Sequence, residues 1–335
     1  MNFSNNNSNL INSSIARLAD FTRLKVTYVE EKGKEEDGIV QLERAGKITT
    51  LKAKVKSVLL LSHLPQLLKL RERFPGYIVI AGRISHKVAK TLQELRVNYL
   101  DSGGNAFIET KELFLLIEGK KIGTLIDRQH LFTNASIQLL YQLMVRPSLM
   151  KKPYRAIASE TGASLDNISK SIRTLQENGY ITKLKKGGYA FLNKERLLER
   201  WIAEYGERLK PKLLIGTFRF LKDDLWRNIE LDRSKTQWSG EPAVDKALGQ
   251  LRPQFFTLYT IENKQDLIQK YRLIPDAQGS IFVYQAFWDL ANFHTTDCVP
   301  DLLIYTDLLL SGSARNAEAA KNLLDARKET ILQSI

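Results

Sequence analysis

The chain of 335 residues has one cysteine, Cys298, and four scattered histidines, His63, His86, His130 and His294. One thiol excludes an internal disulfide, and the histidines lack the spacing of zinc ligands. No run of about 18 apolar residues occurs, so neither a transmembrane helix nor a membrane partner is expected. The opening MNFSNNNSNLINSS has no basic stretch and no long apolar core. It does not read as a secretory signal, and residues 1–14 read as a disordered Asn/Ser tail. No Walker A or dinucleotide-binding glycine motif is present. A cytoplasmic protein without a cofactor is expected.

Acidic residues are also in short supply, 37 against 50 Lys and Arg, for a net charge of +13. The deficit is local. Residues 1–130 carry +7, residues 131–220 carry +9 and residues 221–335 carry −3. The excess sits in the first two-thirds and peaks in the middle, an asymmetry that points to a polyanionic partner for the front of the protein.

The pattern of apolar residues reads as a mixed α/β multidomain protein. In residues 15–130, LKVTYVE, DGIVQLE and KITTLKAKV read as strands, and residues 57–74 as a strand running into a helix. YIVIAG is a buried strand, and SHKVAKTLQELR an amphipathic helix. VNYLD, NAFIET and LFLLIEG close the unit as short strands. Residues 131–210 read as helical with one hairpin, and residues 211–335 as a C-terminal α/β domain. There KLLIGTFRF, FFTLYTI and IFVYQAF are strands, NKQDLIQKYRL and ARNAEAAKNLLDARKETILQ are helices, and VPDLLIYTDLLL fits either. Asp301 and Asp307 in that last segment read as a solvated residue and a cap, and the four tryptophans as core.

The clearest motif is YRAIASETGASLDNISKSIRTLQENGYI, residues 154–181. Ile157 and Ala158 anchor a first helix, and Gly162 permits the tight turn of a helix-turn-helix. Ser164 is suited to N-cap the second helix. Leu165, Ile168, Ile172 and Leu175 fall on one buried arc, which leaves Asn167, Lys170, Arg173 and Thr174 for phosphates and base edges. YITKLKKGGYAFL then reads as a wing: two short strands around Gly-Gly, with Lys183, Lys185 and Lys186 placed to grip phosphate. Asn193 is expected to cap the helix that follows, and Leu197, Leu198, Trp201, Ile202 and Tyr205 to form its apolar stripe.

Beyond these elements, the chain resembles a known family over roughly 75–330. The segments are YIVIAGRISHKVAKTLQELRVNYLDSGGNAFI, the winged helix-turn-helix, RLLERWIAEYGERLKPKLLIGTFR, SGEPA, LRP and PDLLIYTDLLLSGSARNAEAAKNLL. They are similar to the AbiEi-like antitoxins of type IV toxin–antitoxin systems, in the branch of transcriptional regulators. The resemblance implies a DNA-binding repressor of its own operon. It also implies a C-terminal domain that counteracts a nucleotidyltransferase-like toxin. In the better understood members of that family the winged helix lies near the N-terminus, whereas here an α/β unit of about 130 residues precedes it.

That leading unit carries an alternative chemistry. Asp101 ends one strand and Glu118-Gly119-Lys120 ends another. Restriction-endonuclease-like folds hold Mg²⁺ between an Asp and a Glu-x-Lys on adjacent strands, with the lysine serving the attacking water or the phosphate charge. The order of elements is compatible with that fold. Against catalysis, Glu-x-Lys is short, Gly119 interrupts it, and Asp101 before Ser-Gly-Gly is a natural turn residue. A non-enzymatic regulator is the favoured expectation. Asp101, Glu118, Lys120 and a magnesium ion belong only to the nuclease alternative.

Overall fold

The structure is a computed structural model and describes residues 3–31, 36–60, 63–120, 131–221, 223–249, 251–293 and 295–333. It divides into two compact units, 1–129 and 130–335. His130 and His294 lie outside the described residues.

The first unit opens with a helix, α1 (Phe3–Thr22), where a disordered tail was expected over 1–14. The Asn/Ser-rich composition conceals a helical stripe. Leu10, Ile11, Ile15 and Leu18 recur on one face and pack on the sheet, with Ile11 and Leu18 buried. The hydroxyls of Ser13 and Ser14 donate back to the carbonyl of Leu10, so these polar residues are satisfied within the helix.

The strands follow as expected from the sequence: β1 (Lys25–Glu30), β2 (Gly38–Arg44) and β3 (Lys47–Leu59) form an antiparallel meander. Ala45 and Gly46 both take positive φ at the β2–β3 turn, as a tight hairpin requires. The chain then crosses through α2 (Leu64–Arg73) to β4 (Tyr77–Ile84) and through α3 (His86–Glu94) to β5 (Asn98–Asp101), both parallel pairings. β6 (Ala106–Glu109) and β7 (Phe114–Ile117) complete a seven-stranded sheet in sequential order. Strand alternation splits the core in two. Tyr77, Val79, Ala81 and Tyr99 face Leu67, Leu70, Val88 and Leu92 of α2 and α3, while Leu51, Ala53, Ile78, Ile80 and Leu100 face α1.

The second unit begins with α4 (Asn134–Val145), capped by Thr133. A 3₁₀ turn (Pro147–Lys151) leads to α5 (Tyr154–Thr161), a left-handed Gly162 and α6 (Leu165–Glu177). β8 (Ile181–Lys183) and β9 (Tyr189–Phe191) form an antiparallel hairpin. Next comes α7 (Lys194–Glu204), whose five expected apolar residues are all buried. Asn193 holds the N-cap position but makes no capping bond; its amide donates to the carbonyl of Gly179 instead.

The expected boundary at 210/211 separates no compact units. α7 passes through a π turn (Tyr205–Leu209) and a last turn (Lys210–Leu213) straight into β10 (Leu214–Phe220). β11 (Thr236–Ser239), α8 (Gly240–Leu248), β12 (Phe256–Thr260), α9 (Lys264–Tyr271), β13 (Leu273–Pro275) and β14 (Ile281–Gln285) follow. The five strands run in the order β11-β12-β14-β10-β13. VPDLLIYTDLLL resolves as a helix, α10 (Asp301–Leu310), before α11 (Ala314–Ala326). α10 is buried on nearly every side, which erases the period that would have marked it as a helix.

Buried polar chemistry ties the helical part to the sheet. Tyr141 of α4 stacks on Trp201, Trp201 on Tyr205, and Trp201 Nε1 donates to the carbonyl of Ile137 at 2.9 Å. The hydroxyls of Tyr205 and Tyr259 are hydrogen-bonded. Tyr259 donates to Asp307, which also accepts from Lys210 Nζ (2.7 Å) and Ser239 Oγ (2.6 Å). Asp307 is therefore neither a cap nor solvated: it is the buried centre of the unit's polar network.

Candidate nucleic-acid interface

Three features set the orientation of α6. Ser164 accepts from the amide of Asn167 at 3.2 Å, which makes it the expected N-cap. Ile168, Ile172 and Leu175 are buried. Ser136 of α4 donates to Asn167 Oδ1 at 3.0 Å, and Ser171 Oγ bonds to Ser136 at 2.8 Å. The bond from Ser136 corrects the expectation for Asn167. Its carbonyl oxygen is turned toward α4 and its side chain is half-buried, so it braces the helix rather than heading the outer face.

Asp166, Lys170 and Arg173 lie opposite the buried arc and are exposed, with Ser169 and Gln176 beside them. Lys170 is held by Asp166 in an i,i+4 ion pair of 2.8 Å. Arg173 has no ion-pair partner among the described residues, and Thr174 is half-buried at the margin. Leu165, expected in the buried arc, is 48% exposed at the first position of α6. Ala158 is also only partly buried. Ser169 and Gln176 are each one helical step from Arg173, so the helical period alone places them on its face.

The hairpin presents Lys183, Lys185 and Lys186, all exposed and without an ion pair among the described residues. The amides of Gly187 and Leu184 close the turn through Leu184 O and Gly188 O. Gly187 and Gly188 have φ of 90° and 78°. A Cβ on Gly188 would lie 2.7 Å from Lys151 Cα and 2.8 Å from Met150 O, so only glycine lets the hairpin lie this close to the 3₁₀ turn. Tyr154 and Tyr189 share a hydroxyl hydrogen bond of 3.0 Å that joins α5 to β9. Arg155 is exposed on α5 as a further cation.

The first unit does not assemble the metal site of the nuclease alternative. Asp101 is 2% exposed and spends both oxygens on its own turn. Oδ1 accepts from the amides of Gly103 (2.8 Å) and Asn105 (2.9 Å), and Oδ2 from the Asn105 side chain (2.8 Å). Burial raises its pKa above the ordinary carboxylate value, against these hydrogen bonds. Glu118 accepts from Gln93 at 2.7 Å, and Lys120 Nζ lies 4.5 Å from the centre of the Phe21 ring. β7 ends at Ile117 and Gly119 has φ of 71°, so Glu118 and Lys120 do not share a strand face.

An Asp and a Lys do meet across adjacent strands elsewhere. Asp37 pairs with Lys54 of β3 at 2.9 Å and accepts from the amide of Val55 at 2.7 Å. Two residues before Lys54, however, stands Lys52, paired with Glu36 at 2.9 Å. A cation thus occupies the place a second metal-holding carboxylate would need. No group of three His, Cys, Asp or Glu residues is placed to hold a metal ion among the described residues. No helix there is long and apolar enough to cross a membrane.

The second unit thus places an exposed helix face beside a lysine-tipped hairpin, on a sheet anchored by buried ion pairs. The family comparison narrows the class. Residues 190–329 match the family described as "Transcriptional regulator, AbiEi antitoxin, Type IV TA system", the family that the sequence resemblance pointed to. No curated protein and no solved structure matches the chain.

Proposed function

We propose that this chain is a DNA-binding transcriptional regulator and the antitoxin of a type IV toxin–antitoxin system. In this reading α4–α6 with the β8–β9 hairpin form a winged helix-turn-helix that binds double-stranded DNA and represses the chain's own operon. The C-terminal domain counteracts a nucleotidyltransferase-like toxin. The observation that carries the proposal is the antitoxin-family match over 190–329, which starts inside the hairpin and continues through the same compact unit. The free cations Arg173, Lys183, Lys185 and Lys186 supply the complementary charge for a duplex. Mg²⁺ has no part in this function, and the protein works by occupancy in the cytoplasm.

The test is a gel shift with duplex DNA from the region upstream of the chain's own reading frame, run in EDTA and in Mg²⁺ or Mn²⁺. A shifted, uncut band in every lane is expected. Metal-dependent cleavage that disappears in Glu118→Ala would replace the regulator with a nuclease. Absence of any shift, with intact folding, would remove DNA as the partner.

A further inference from the structure

The exposed face of α6 has two sides, divided by Arg173. At about 100° per residue, Asp166, Lys170 and Glu177 fall to one side of it and Leu165, Ser169 and Gln176 to the other, all of them exposed. The first side is charged and holds the Asp166–Lys170 ion pair. The second bears no charge. Its first residue stands apart: Leu165 is 48% exposed, while the other large apolar side chains of α6, Ile168, Ile172 and Leu175, are buried.

The local sequence keeps this leucine open. Helical side chains lean toward the N-terminus, so the residue four positions on covers the one before it. For Leu165 that residue is Ser169, whose side chain is too short to shield a leucine. Beyond the helix end, Gly162 and Ser164 are exposed as well, so nothing large screens Leu165 from that direction. The Ser164 cap, accepting from the amide of Asn167 at 3.2 Å, holds the turn that presents it. No other large apolar side chain of α5, α6 or the β8–β9 hairpin is exposed. A single leucine bordering the free Arg173 is too small a patch for a protein interface, which needs contiguous apolar surface. The major groove of DNA, by contrast, offers an apolar feature of matching size, the C5-methyl group of thymine.

We propose that Leu165 is a specificity-determining residue that reads one thymine through its C5-methyl group. The assignment rests on the reading of α6 as the helix that enters the major groove. In that geometry the N-terminal residues of the helix meet base edges, and Leu165 is the first of them. Contact with the methyl removes water from two apolar surfaces at once. A cytosine at the same place sets a polar amino group nearby and leaves the leucine without an apolar partner. Leu165 thus selects by shape and hydration, where Arg173 beside it selects by hydrogen bonding.

The experiment uses the full chain and the duplex from upstream of its own reading frame, narrowed by footprinting. Each thymine of the protected stretch is replaced singly by uracil, which removes the methyl group and nothing else. One replacement should weaken binding about four-fold, the worth of burying one methyl-sized group, with an unchanged salt slope. In Leu165→Ala the thymine and uracil forms of that duplex should bind equally, and in Leu165→Met the difference should return. A leucine that only supported the fold would, once truncated, weaken both forms alike and keep their ratio; that result overturns the proposal. So does a wild type that binds the duplex and is indifferent to every uracil, which leaves DNA binding itself standing. A wild type that shifts no duplex removes the DNA-binding reading and this assignment with it.

Discussion

Arg173 and Lys170 share the exposed face of α6 but differ as donors. Lys170 is already paired with Asp166, while Arg173 is free and offers a planar fork suited to a guanine edge. Arg173→Ala is expected to cost about 1–3 kcal/mol at one base-pair position and to relax specificity there. A binding-site selection comparing the two proteins checks this; an unchanged consensus refutes it. Asn167→Ala should instead lower stability, since its bond to Ser136 braces α6 from within. Among single residues, Ser164 and Arg173 were legible because local helix rules place them. Asp307 was not, because its partner Lys210 lies 97 positions away in the chain. Burial is the largest influence on Lys210 and would lower its pKa, but the charge of Asp307, that of Tyr284 and the hydrogen bond to Asp307 together leave the pKa above the ordinary 10.5. The folded pKa exceeds the unfolded one, so this contribution to stability is complete below pH 10.5 and is lost as pH rises through the folded value. Asp307→Asn leaves the ammonium buried without a counter-charge and should cost about 3–5 kcal/mol. Denaturant melts should show that loss. Lys210→Met combined with Asp307→Asn should recover part of it and flatten the alkaline decline.

At the scale of elements, the hairpin is the piece most dependent on one residue. Gly188 combines positive φ with backbone atoms of Met150 and Lys151 less than 3 Å from where a Cβ would sit. Gly187 shares the positive φ but faces open space. Gly188→Ala should therefore displace the hairpin and cost more than the roughly 1–3 kcal/mol of a strained backbone position, while Gly187→Ala should cost no more than that. DNA affinity should fall in Gly188→Ala even below its melting temperature, and the consensus read by α6 should persist. Equal effects of the two substitutions would refute the close approach. Most elements were readable from alternation and capping, the strands of the first sheet above all. Those missed share a cause. α1 is written in Asn and Ser; β11 and α8 lie in TQWSGEPAV, where burial of all four strand residues leaves no alternation. The segments SGEPA and PDLLIYTDLLL each carry a buried carboxylate, Glu241 and Asp307. Glu241 accepts from Arg315, Asn316 and the amide of Gln254, and Asp307 from Lys210.

At the scale of the whole molecule, the division at 129/130 separates two basic regions, and the proposed DNA binding can be assigned between them. Residues 131–220 hold +9 with free cations on the hairpin, whereas 1–130 hold +7 and place Lys25, Lys52 and Lys54 in ion pairs with Glu43, Glu36 and Asp37. Surface pairs of this kind contribute little to stability, but they do remove charge that would otherwise displace counterions from a duplex. The affinity should therefore depend on salt mainly through the second unit. Lys185→Gln with Lys186→Gln is expected to weaken binding to all sequences alike and to reduce the slope of log K against log salt by roughly 0.9 per lost phosphate contact. A fragment of residues 130–335 has its own core of stacked aromatics and buried ion pairs and should unfold in one cooperative transition. Its salt slope should equal that of the full chain when both are measured at a protein concentration where the chain is monomeric. A shallower slope in the fragment would assign phosphate contacts to the first unit and with them a direct role on DNA; an unchanged slope leaves that unit free for protein contacts.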